Sequence, residues 1–128
     1  MAQSSKKIAL IEDEKDLAEI YNLKLQMDGI KTVVINDSLK ALEVLRREKP
    51  NLVLLDIMMP DLNGFELFAR IKKDHDLKDV KVYIWSNLAQ KREQDQAKKL
   101  KVDGYLVKSD YTPLTLSAKI KELLKNNK

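Results

Sequence analysis

"LVLLDIMMPDLNG", Leu52 to Gly64, is the stretch whose reading decides the fold. It opens as a short continuous apolar run, the pattern of a strand covered on both faces. The run ends on Asp56, and a loop punctuated by Pro60 and Gly64 leads into "FELFARIKK", where Leu67, Phe68 and Ile71 recur at helical spacing. A carboxylate at the edge of an apolar core costs free energy unless something pairs with it, so Asp56 requires a partner or a task.

The same alternation runs outward in both directions. "KIALI" (7–11) precedes a helical pattern with Leu17, Ile20, Tyr21 and Leu25 on its apolar side, acids in its first turn and Gly29 at its C-terminal cap. "KTVVI" (31–35) is followed by Asp37 or Ser38 as cap to a helix bearing Ala41, Leu42 and Leu45, with Pro50 beyond its end. Past the central unit come "VKVYIWS" (80–86), the polar helix "LAQKREQDQAKKL" (88–100) and the strand "GYLVK" (104–108). Thr112 and Pro113 then open a last helix as N-cap and first residue, with Leu116, Ile120, Leu123 and Leu124 facing inward. Five strands alternating with five helices predict an α/β fold, a doubly wound parallel sheet covered on both faces by right-handed crossovers.

Bulk properties set the frame. A chain of 128 residues suits one domain with one core, expected over 6–125, with a flexible leader at 1–5 and a polar tail at 126–128. Cysteine is absent, which removes disulfides, thiol nucleophiles and thiolate metal sites. No apolar run approaches a membrane span and "MAQSSKK" is no secretory signal, so a cytoplasmic protein without membrane insertion is expected. The net charge of +4 is spread among interspersed acids and bases, which argues against direct nucleic-acid binding.

In an open parallel sheet, ligands bind beyond the C-terminal strand ends, where chain order reverses. Glu12 and Asp13 follow the first strand, Asp56 the third, Ser86 ends the fourth and Lys108 the fifth. If the strand order is 2-1-3-4-5, three carboxylates converge at one rim. Two unit charges about 4 Å apart repel by roughly 4 kcal/mol at an effective dielectric near 20. A hard divalent cation relieves that repulsion, and Mg²⁺ suits an all-oxygen site that keeps several waters; Mn²⁺ could take its place. Asp56 then stays an anion able to attack phosphorus, while the Lys108 ammonium and Ser86 hydroxyl cover charge on the phosphoryl oxygens. Singly, each of these residues has an ordinary use as a cap, a turn or a strand end; their joint placement at one rim is what points to chemistry.

From "KIALIEDE" through "LVLLDIMMPDLNGFEL" and "YIWSN" to "DGYLVK", nearly the whole chain resembles the receiver domain of two-component response regulators, in single-domain, chemotaxis-receiver-like form. The resemblance implies a (βα)5 flavodoxin-like three-layer sandwich of order 2-1-3-4-5. It implies a phosphorylation-dependent switch in which a sensor histidine kinase or histidine phosphotransfer protein supplies the phosphoryl group to Asp56. Glu12, Asp13, Asp56 and the main-chain carbonyl of Met58 would surround Mg²⁺. Ser86 and Tyr105 would move together and reshape the face made by the fourth helix, fifth strand and fifth helix for a downstream protein, as a monomer or a phosphorylation-promoted dimer. Beyond self-phosphorylation and slow self-dephosphorylation, no enzyme activity is implied. Two positions depart from the family pattern: Ser109 stands where proline is usual, and Asn87 where a small residue often follows the switch hydroxyl, which could narrow the path to Asp56. Met58 and Leu88, both apolar, occupy the positions that tune self-dephosphorylation in the family.

Three rival readings share part of this pattern. A haloacid-dehalogenase-type phosphatase needs a second Asp two residues after the nucleophile, where this chain has Met58. A flavin binder of similar topology needs a phosphate cradle after the first strand, where "EDE" would repel phosphate. A phosphorylation-independent receiver-like scaffold remains as the alternative binding module. With no effector domain after the fifth helix, the output is expected to be non-covalent unless the chain is a domain of a longer regulator.

Overall fold

The computed structural model describes residues 6–88 and 90–126; the expected leader over 1–5 and positions 127–128 of the tail lie outside the described residues. The elements are β1 (Lys7–Ile11), α1 (Lys15–Met27), β2 (Lys31–Ile35), α2 (Ala41–Glu48), β3 (Leu52–Leu55), α3 (Gly64–Lys73), β4 (Lys81–Ser86), α4 (Lys91–Leu100), β5 (Gly104–Val107) and α5 (Pro113–Asn126). All four strand pairings are parallel and the order is β2-β1-β3-β4-β5, as expected. The β1–β3 pairing sets Ile11 beside Leu55, so the chain leaves both strands at neighbouring points of one rim.

Side chains alternate along each strand, and so the sheet has two cores. Ala9, Ile11, Val53, Leu55, Val82 and Ile84 meet Ala41 and Leu45 of α2, Leu67, Phe68 and Ile71 of α3 and Ala97 of α4. Ile8, Leu10, Leu52, Leu54, Trp85 and Leu106 meet Ala18, Tyr21 and Leu25 of α1 and Leu116, Ile120 and Leu124 of α5. The result is a three-layer sandwich. Among the described residues no helix is long and apolar enough to cross a membrane.

Helix ends explain most boundary differences. Asn63 and Glu66 form a reciprocal capping box that starts α3 at Gly64, one residue before the expected "FELF". Thr112 caps α5 as expected, exchanging hydrogen bonds with Thr115. The fourth helix begins at Lys91, not Leu88, because Leu88 is drawn into a loop contact described below. Lys49 and Lys101 close α2 and α4 in the left-handed region, at φ 49° and 64°, where glycine is the usual choice. One core assignment is corrected: Ile20 is 52% exposed and Ala18 takes the inward place, since Ile20 lies well round the helix from the arc of Ala18, Tyr21 and Leu25.

Candidate functional site

The rim formed by the C-terminal ends of β1, β3, β4 and β5 borders a cavity of about 350 Å³, whose lining includes Asp13, Asp56, Met58, Ser86, Asn87 and Lys108. Asp56 follows β3 directly. Its Oδ1 accepts the Met58 main-chain N–H at 3.0 Å and its Oδ2 accepts the Lys108 ammonium at 3.0 Å. Behind it, Gly64 N donates to the Ile57 carbonyl at 3.2 Å, drawing the first turn of α3 onto the loop. The glycine permits this approach, because a Cβ there would lie 2.6 Å from Ile57 Cα. Sequence reasoning saw Gly64 as loop punctuation; the contact that demands it joins two elements.

Glu12 leaves β1 into the other core and is fully buried. Its Oε1 accepts Lys108 Nζ at 2.6 Å and the Trp85 indole N–H at 3.2 Å, and its Oε2 accepts the Glu14 N–H at 3.2 Å. Asn36, at the end of β2, donates from Nδ2 to the Glu12 carbonyl at 2.9 Å. Trp85 packs edge-on to Tyr21 with ring centroids 5.2 Å apart, and its buried N–H also finds a carboxylate. That need for a partner was the available signal.

Lys108 joins the two acids. It sits at the start of a single 3₁₀ turn, Lys108–Asp110, just past β5, and is itself buried. No cis peptide bond occurs among the described residues, so the lysine is placed with a trans linkage to Ser109. Burial acts to lower its pKa, but the carboxylates of Glu12 and Asp56 more than reverse this and hold it above the ordinary lysine value, fully charged at neutral pH. Burial also pushes Glu12 upward, opposed by its bond to Lys108.

Ser86 and Tyr105 share the sheet face opposite to Trp85, by the alternation along β4 and β5. Ser86 Oγ accepts the Leu88 N–H at 3.1 Å, and the Tyr105 hydroxyl donates to the Leu88 carbonyl, so both meet at the loop between β4 and α4. Burial first, then the charges of Glu93 and Asp56, push the Tyr105 phenol up to about 12.

The acids are thus divided. Asp13 and Asp56 line the cavity, while Glu12 is engaged by Lys108, and among the described residues no three His, Cys, Asp or Glu side chains stand as a group arranged to hold a metal ion. Asp13 and Asp56 along the cavity, with Glu14 a third carboxylate in its lining and the main-chain carbonyl of Met58 beside them, make an all-oxygen donor set that fits a cation retaining most of its waters, as Mg²⁺ does. Chemically, the rim sets an ammonium, a hydroxyl and a main-chain N–H around one carboxylate, a set that can support in-line transfer to that carboxylate.

A family model, "Response regulator receiver domain", matches residues 8–121. The probable transcriptional regulator ycf27 of Cyanophora paradoxa is 32% identical over 125 residues, covering 98% of this chain and 51% of that protein. The receiver domain of Francisella response regulator 1452 superposes with a TM-score of 0.83 at 27% identity, over 96% of this chain and 99% of that one. A CheY-like receiver domain protein of Methanospirillum hungatei JF-1 shares the fold, with a TM-score of 0.84 at 24% identity over 95% of each chain. The chain spans about half the length of the curated relatives it matches.

Proposed function

Because the chain belongs to the response regulator receiver domain family of two-component signalling, we propose that it is a phosphorylation switch whose acceptor is Asp56 and whose donor is a phosphohistidine on a sensor kinase or phosphotransfer protein. The observation that carries this reading is the Asp56–Lys108 pair, 3.0 Å apart at a cavity that Ser86 also borders.

In the step itself, an Asp56 carboxylate oxygen forms the new O–P bond as the N–P bond of the phosphoimidazole breaks. The bonding pair returns to the ring nitrogen. Lys108 turns from Asp56 toward a phosphoryl oxygen while keeping Glu12 as its counter-charge, and Ser86 releases the Leu88 N–H to donate to another oxygen. Mg²⁺, held by Asp13, Asp56 and the Met58 carbonyl with Glu12 behind them, would neutralise charge on the phosphoryl group. Since Ser86 and Tyr105 both bind Leu88, release of the serine loosens the tyrosine's anchor as well. The readout is then a rearrangement of the α4–β5–α5 face toward a downstream protein. Met58 and Leu88 offer no polar group to orient an attacking water, so the acyl phosphate decays slowly.

The test is to incubate the protein with Mg²⁺ and phosphoramidate, weigh it intact, and repeat with Asp56→Asn. One added phosphoryl group in the parent alone supports the switch. No addition to the parent from small donors or from a cognate kinase points to the scaffold reading.

A further inference from the structure

The chain leaves β4 and β5 side by side, one exit carrying Ser86 and Asn87, the other Lys108 and Ser109. The last regular pair across these strands is Ser86 with Val107. Beyond it β5 gives way to the 3₁₀ turn Lys108–Asp110, whose first N–H groups have no partner within the turn. Ser109 N instead donates to Asn87 Oδ1, at 2.8 Å. A side-chain carboxamide on the β4 exit thus satisfies a main-chain N–H on the β5 exit. This also joins the chain's two departures from its family pattern: a residue with an N–H follows the lysine, and a residue with an acceptor follows the serine.

The loop after β4 is consequently tied at three successive residues. Ser86 Oγ holds Leu88 N, Asn87 Oδ1 holds Ser109 N, and the Leu88 carbonyl holds the Tyr105 hydroxyl. Of the three, only the Asn87 bond reaches the turn that carries Lys108.

We propose that Asn87 is a positioning residue for Lys108: by holding Ser109 it fixes the turn from which the lysine reaches Asp56 and Glu12, and it makes the loops after β4 and β5 move as one body. The role in phosphorylation rests on the Asp56 reading above; the placement of Lys108 does not. Asn87 also lines the cavity, and as a simple obstruction it would have the opposite effect, since its removal would open the path to Asp56.

The experiment uses the full chain with Mg²⁺ and phosphoramidate, together with amide exchange at Ser109 and the ¹³C chemical shift of the Lys108 ε-carbon at pH 7 by NMR. In Asn87→Ala, phosphorylation is expected to slow roughly fivefold and Ser109 exchange to quicken by a similar factor, the size of one neutral hydrogen bond. The Lys108 ε-carbon resonance is expected to move toward that of a solvent-exposed lysine. Asn87→Asp, which keeps an acceptor, retains Ser109 protection. Phosphorylation of Asn87→Ala as fast as the parent or faster, unchanged Ser109 exchange, or an unmoved Lys108 resonance each overturns the proposal. A parent that takes no phosphoryl group defeats the Asp56 reading, while Ser109 exchange and the Lys108 resonance still decide whether Asn87 positions the lysine.

Discussion

Replacing Gly64 with alanine tests how closely the start of α3 governs the Asp56 loop. A Cβ at this position would sit 2.6 Å from Ile57 Cα and 2.9 Å from the Asp56 carbonyl carbon, and nearer still to the Asp56 carbonyl oxygen. Carbon atoms pack comfortably at roughly 3.5 to 4 Å, so the overlap is about 1 Å, and it falls on backbone that cannot rotate aside. Overpacking of this kind costs about 1 to 3 kcal/mol, offset by at most about 1 kcal/mol from alanine's better helix propensity. A net loss of about 2 kcal/mol would lower the urea midpoint by about 1 M at a slope near 2 kcal/mol/M. The strain is relieved by displacing Asp56 and Ile57, so Asp56 phosphorylation falls together with stability. Gly29→Ala is the matched control, because φ there is 81° with nothing within 4 Å of the added carbon. It should cost about 1 kcal/mol through left-handed strain alone and leave phosphorylation intact. Equal midpoints for Gly64→Ala and the parent, or destabilisation without loss of phosphorylation, would refute the reasoning.

Glycine at Lys49 or Lys101, both left-handed helix caps, is expected to raise stability by about 0.5 to 1 kcal/mol each in urea titrations; a loss at both positions would contradict the cap geometry. Tyr105, pushed up to about 12, contributes stability that is complete below pH 10 and lost as pH rises through 12; a ¹³C titration of the phenol carbon, assigned with Tyr105→Phe, should find this midpoint rather than one near 10. Lys108→Met leaves Glu12 buried with the Trp85 N–H but no counter-charge, at a cost of about 2 to 3 kcal/mol at pH 7, somewhat below that of breaking a fully enclosed pair. Burial already holds the Glu12 pKa above its unfolded value, so its contribution is complete below that value and lost as pH rises through the folded one. The Lys108→Met deficit should therefore shrink on acidification, and a deficit that grows would argue against an unpaired Glu12. Finally, the acyl phosphate should persist far longer than that of a rapidly self-dephosphorylating chemotaxis receiver when its loss is followed by intact mass; an equally quick decay would show that Met58 and Leu88 do not limit access of water.

Legibility in the sequence followed the range of the interaction. The apolar runs 7–11 and 31–35 became strands with those limits, and Thr112 with Pro113 opened the last helix, because alternation and capping are settled within a few residues. Ile20 was misplaced where helical spacing admitted two arcs and only the sheet and α5 chose between them. At the site, the acids, the serine and the lysine could be located at strand ends, but their pairing could not. Glu12 and Lys108 are 96 residues apart and meet because β1 lies near the middle of the sheet and β5 at its edge, with Lys108 reaching back across Trp85.

By itself, then, the sequence determined the order of strands and helices, the two-faced burial of the sheet and the rim on which its polar residues emerge. All of these follow from side-chain periodicity and the handedness of crossovers. Only the tertiary structure decided that Glu12 turns inward to Lys108 and Trp85, that Gly64 bears on the Asp56 loop and that the Asn87 side chain accepts the Ser109 N–H. Those choices depend on distances of a few tenths of an ångström between segments remote in the chain, and such distances are set only when the sheet and its helices are packed together.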